Sequence, residues 1–125
     1  MMKVHEFYPT IYPRRVWVVK KGKPEDLQGV FSDKDGNDLE MGDYEGAKAC
    51  VWHAMHRDSK RLGVLVLLRE DITVADVAHE ADHVANKIFT DCAIDFTTEH
   101  DEHHAYLVGW AADCLWQTWT GKFKE

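Results

Sequence analysis

His79-Glu80-Ala81-Asp82-His83 sets two imidazoles four residues apart, with a carboxylate directly after the first. On an α-helix, positions i and i+4 lie one turn apart on one face. Both rings can then hold one Zn²⁺ at about 2.0–2.1 Å. Glu80 leaves such a helix about 100° from His79 and about 60° from His83. It therefore borders the open coordination position, where a carboxylate takes a proton from metal-bound water. Eight histidines in 125 residues are the clear compositional excess of the chain, and histidine is the commonest metal ligand. The competing reading is a solvated helix with two unrelated histidines, which leaves Glu80 and Asp82 without a task.

A catalytic zinc needs a third protein ligand and an open fourth position. The candidates crowd into Glu99-His100-Asp101-Glu102-His103-His104. Glu102 falls three residues before Ala105 and six before Val108, beside the apolar stripe expected of a second helix, so it is expected to point inward. His104, His103 and His100 follow it in that order, since His103 and His104 are offset from Glu102 by about 100° and 200°. Tyr106, one turn after Glu102, is a candidate for oxyanion support or an aromatic packed at the helix crossing. Asp76 and Asp113 could each steady a ligand imidazole through its second nitrogen; the duller readings are a helix cap and a solvated charge.

These residues need a frame. Thr73 and Asp76 have the spacing of a capping box, and Val77, Ala81, Val84, Ala85 and Ile88 continue one face, so a helix opens at Thr73. A second helix is expected from near Asp101 to near Gly121, with Ala105, Val108, Ala112, Leu115 and Trp119 on its apolar face. Upstream, Val16-Trp17-Val18-Val19, the stretch from Cys50 to His56, and the stretch from Gly63 to Leu68 read as strands, the last two joined by a polar hairpin connection. Asp33-Lys34-Asp35-Gly36-Asn37-Asp38 reads as a tight turn between Val30-Phe31 and Leu39-Glu40-Met41. It lacks the Gly and Glu positions of a calcium loop. The expectation is one α+β domain over 1–125: a small antiparallel or mixed sheet in about 1–70, packed by two main helices in about 73–120.

Composition bounds the partners. Hydrophobic residues make up 45% of the chain and five are Trp, enough to bury a core. Lys and Arg total 15 against 22 Asp and Glu, a net charge of −7; that balance disfavours a phosphate-facing basic surface, so no nucleic acid is expected. No run approaches the roughly 18 apolar residues of a membrane span, and the N-terminus lacks the apolar core of a signal peptide. Cys50, Cys92 and Cys114 form no metal knuckle and read as buried small hydrophobes in a reducing compartment, so the cytoplasm is the expected location.

Val77-Ala78-His79-Glu80-Ala81-Asp82-His83 and Glu102-His103-His104-Ala105-Tyr106-Leu107-Val108-Gly109-Trp110 together resemble the zincin metallopeptidases of gluzincin type. The chain is similar to small bacterial and phage-type proteins with a minimal zincin domain, whose usual opening Ile11-Tyr12-Pro13-Arg14-Arg15-Val16-Trp17 resembles. Asn86 and Thr90 stand where a metzincin has its Gly and third His, and no Met follows His83 up to Trp119, so that branch is excluded. The resemblance implies a zinc-dependent peptidase acting on a peptide or protein substrate, with His79 and His83 as ligands, Glu102 as third ligand and Glu80 as general base. It also implies an edge strand beside the active-site helix, a place that 63–67 would fill. The alternative is a phage- or mobile-element-encoded binding module that keeps a metal-stabilised zincin fold without proteolysis.

Overall fold

A computed structural model describes residues 2–42 and 46–124. Five strands and three helices follow in the order β1 (Val4–Phe7), β2 (Arg15–Lys20), α1 (Pro24–Val30), β3 (Phe31–Ser32), β4 (Ala49–His56), β5 (Leu62–Leu68), α2 (Val74–Asp91) and α3 (Glu102–Thr120). The sheet order is β1-β2-β5-β4-β3. It is mixed: β2 and β5 run parallel, and the other neighbours are antiparallel. The protein is thus α+β, a five-stranded mixed sheet packed against three helices.

The apolar runs of β2 and β5 are continuous because both sheet faces are covered. Val16, Val18, Val64 and Val66 pack on one face with Val77, Ala81, Val84 and Ile88 of α2 and Leu107, Ala111 and Leu115 of α3. Trp17, Val19, Leu65 and Leu67 pack on the other face with Leu27 of α1, Phe31 and Leu39. β5 is therefore the centre of the sheet, between β2 and β4. The expectation that 63–67 forms the edge beside the active-site helix is corrected: full burial of 64–68 on both faces is the mark of an interior strand. Beside α2 the partly open side belongs to β4, which lies between β5 and the short β3 and pairs with β3 only through Met55 and His56. Among the described residues, its stretch 51–54 has no strand partner on that side.

The expected strands at 16–19, 50–56 and 63–68 form, and so does the hairpin joining the last two. The turn at Asp33 to Gly36 also forms, with Gly36 at φ 89°. Its flanks do not make a hairpin, however. Val30 ends α1, and Phe31 and Ser32 pair with the far end of β4. Pro24 at the start of α1 and the acidic Glu25 and Asp26 after it suit a helix start. At seven residues, α1 depends on burying Leu27 rather than on intrinsic helicity.

Candidate metal centre

The side chains that could do chemistry are carried by α2, whose start is set by the full capping box: the Thr73 hydroxyl accepts from the Asp76 amide and the Asp76 carboxylate accepts from the Thr73 amide. Val77, Ala81, Val84, Ala85 and Ile88 are buried as expected. That fixes the rotation of the helix and puts His79 and His83 on the opposite, exposed side. Their Nε2 atoms stand 3.2 Å apart, with ring centroids 4.8 Å apart and planes at 78°. Two nitrogens at about 2.0–2.1 Å from one zinc, with a tetrahedral angle between them, stand about 3.3–3.4 Å apart. The pair matches that separation to about 0.2 Å without any change of backbone. The same spacing also admits an N–H···N hydrogen bond between the two rings, with one imidazole donating as its Nε2–H tautomer and the other accepting as its Nδ1–H tautomer.

Glu80 completes the cluster. One ligand atom from each of His79, Glu80 and His83 lies within 4.8 Å of the others, the metal-capable group among the described residues. Glu80 is half-buried. Burial pushes its carboxyl above the ordinary value, and Asp76 adds to the rise, against the lowering fields of His79 and His83. A base poised upward in this way is a better proton acceptor than a fully solvated carboxylate.

All three residues line a cleft of about 870 Å³ between α2 and the open side of β4. Asp76 and Lys87 belong to the same wall, residues 48–52 form the opposite one, and Glu40 closes one side. Asp76 is held by the cap and by Lys48 at 3.1 Å, so the duller reading applies to it. Asp113, paired with Lys124, is likewise occupied elsewhere.

The structure does not bring Glu102 or Tyr106 to this cluster. Glu102 is the first residue of α3 and is exposed. Tyr106 is 77% exposed and lines a separate apolar groove with Val74, Val77, Trp110 and Trp116. The cause is a rotation of α3 relative to the expected stripe. The buried residues are His104, Leu107, Ala111, Cys114, Leu115 and Thr118, spaced by threes and fours one position away from Ala105, Val108 and Ala112. Glu102 shares the outward phase of Ala105 and Gly109. His104 instead turns inward: its ring stacks on Phe96 at 3.9 Å between centroids, packs edge-on against Phe89, and its Nε2 lies 2.6 Å from Asn86 Oδ1. His100 and His103 are exposed.

A second charged group, unforeseen in the sequence, lies at the C-terminal end of α2. The Asp91 carboxylate, 1% exposed, meets Lys34 Nζ at 2.6 Å, Arg14 Nε at 3.3 Å and His53 Nδ1 at 3.3 Å. Burial alone would raise its carboxyl; the Lys34 hydrogen bond and the charges of His53, Lys34 and Arg14 outweigh that and hold it below the ordinary value. Burial also lowers His53, with Lys34 and Lys87 acting in the same sense and Asp91 opposing. The members of this group come from four separate segments, so no local spacing in the sequence signals it.

No protein-family model matches the chain, and no curated protein or solved structure matches it. Among the described residues, no helix is long and apolar enough to cross a membrane.

Proposed function

We propose that the protein is a zinc-dependent metallopeptidase of minimal zincin type, with His79 and His83 as metal ligands and Glu80 as general base. The observation that carries this reading is the 3.2 Å separation of the two Nε2 atoms, with the half-buried Glu80 beside them in an open cleft. Bound Zn²⁺ would polarise a scissile carbonyl and bring the pKa of water toward about 7. The chain's own groups do the rest. The Glu80 carboxylate accepts the proton of the attacking water and returns it to the departing amine. Among the described residues, the outer side of β4 at 51–54 has no strand partner, and it offers main-chain hydrogen bonds to an extended peptide laid along the cleft. Glu102, expected from the sequence as the third ligand, lies outside this cluster, so the metal reading rests on His79 and His83.

The exposure of Glu102 also favours a second reading, a binding module whose metal is held by His79 and His83 without proteolysis. Glu80→Gln separates the two. Under the peptidase reading it leaves zinc binding nearly unchanged and cuts hydrolysis of a peptide library by about 10²–10⁴. Equal turnover in the variant and the parent would refute the role of Glu80. Absence of any zinc-dependent cleavage, with zinc bound, would leave the binding module.

A further inference from the structure

His79, His83, Lys87 and Asp91 stand on successive turns of one face of α2. Lys87 lines the same cleft as the two histidines, one turn and about 6 Å farther along the axis than His83. No carboxylate of a described residue pairs with it. Beyond it, Arg14, Lys34 and His53 converge on Asp91. His53 feels both Lys34 and Lys87. This end of the cleft thus gathers three lysine and arginine cations around one described carboxylate, in a chain whose net charge is −7. The other lysine of the cleft, Lys48, is already paired with Asp76. A half-buried lysine that lines a binding cleft with no carboxylate partner among the described residues offers its charge to an anion.

We infer that the Lys87 end of the cleft is a carboxylate-binding subsite that selects peptides carrying an acidic group one to two residues from the bond held at His79 and His83. The spacing follows from geometry: about 6 Å along the helix equals about two residues of extended chain at roughly 3.3 Å each. The carboxylate can come from an Asp or Glu side chain or from a free C-terminus, since both present the same charge and acceptor oxygens to Nζ. The inference takes its substrate class from the peptidase reading, but the anion subsite does not depend on catalysis.

The test uses the full chain and fluorescein-labelled octapeptides of Ala and Leu in which one Glu, or one Gln in its place, is walked along the sequence. Each is made as free acid and as amide. Binding to metal-free protein is read by fluorescence polarisation, and cleavage by the zinc-loaded protein by mass spectrometry. The expected result is about 5-fold tighter binding of Glu than of Gln peptides at low salt, weakening as salt rises. That ratio falls to about one in Lys87→Met and is retained in Lys87→Arg. Because the ratio is taken within each variant, a general loss of stability does not imitate it. Preference among amidated peptides assigns the side chain as the source of the carboxylate; preference only for free acids assigns the C-terminus. Equal binding of Glu and Gln peptides as well as of acids and amides, or a preference that persists in Lys87→Met, overturns the subsite. Preferential binding with no cleavage of any peptide overturns the peptidase reading alone, and cleavage without acidic preference overturns the subsite alone.

Discussion

Asp91→Asn removes one charge from a carboxylate that is 1% exposed and meets the Lys34 and Arg14 cations at 2.6 and 3.3 Å and the His53 imidazole at 3.3 Å, while keeping its shape and one acceptor oxygen. Breaking a buried pair by deleting one partner costs about 3–5 kcal/mol. Here Lys34 and Arg14 remain 45% and 22% exposed and recover hydration, so about 2 kcal/mol is the expected loss. For 125 residues at about 2.1 cal/mol/K of unfolding entropy per residue, that is a fall in Tm of about 8 °C. The pH dependence gives the reasoning a second handle. The folded-state pKa of Asp91 lies below its unfolded value, so its stabilisation is present above about pH 4 and is lost as pH falls through the folded value. Thermal melts of the parent and Asp91→Asn by circular dichroism should therefore differ most at pH 6–8 and converge toward pH 2–3. A difference under about 2 °C at neutral pH, or one that persists unchanged at pH 2–3, would refute the assignment of a stabilising charge cluster.

Gly63→Ala should cost at least about 3 kcal/mol, because a Cβ there would sit 2.3 Å from the Arg15 carbonyl oxygen and 2.7 Å from the Trp17 ring; denaturant unfolding checks it, and a near-neutral effect would contradict the β2–β5 register. Glu80→Gln should raise the Tm of the metal-free protein: its carboxyl is shifted up, so its contribution is favourable below the ordinary value, is lost as pH rises through the raised one, and leaves an unfavourable buried charge at pH 7. Lower stability of this variant at pH 7 would reverse that sign. Glu102→Gln should leave zinc affinity unchanged within about 2-fold in a chelator competition, because Glu102 lies outside the His79, Glu80 and His83 cluster; a loss of about 10-fold or more, as expected on losing one protein ligand, would return Glu102 to the ligand set.

What the sequence made legible was the part governed by strong local rules. The Thr73 capping box, the Val77 to Ile88 stripe and the β-branched runs at 16–19 and 64–68 each have a signal that tertiary context reinforces, and α2 and its histidine face follow from them. The rotation of α3 was misread because Ala105 and Ala112 are weak markers of burial, whereas the run Leu107, Ala111, Cys114 and Thr118 is completed by a histidine that looks polar on paper. Burial of His104 required Phe89 and Phe96 to meet it, a contact that no spacing rule reveals. The open strand side was misplaced for a similar reason: β5 precedes the helix in sequence, but the parallel pairing of β2 onto it encloses it and leaves β4, only partly covered by β3, as the open side beside α2. The Asp91 cluster joins residues 14, 34, 53 and 91 across four separate segments, so nothing local announces it.

The measurement that bears most directly on the metal centre is zinc stoichiometry by elemental analysis after equilibration with Zn²⁺ and gel filtration, on the parent, His79→Ala and His83→Ala in parallel. A chelating pair with Nε2 atoms 3.2 Å apart predicts about one zinc per chain in the parent and loss of most of it in either variant, since one imidazole cannot replace a chelate. Negligible zinc in the parent, or zinc retained equally in both variants, would contradict the site at its foundation.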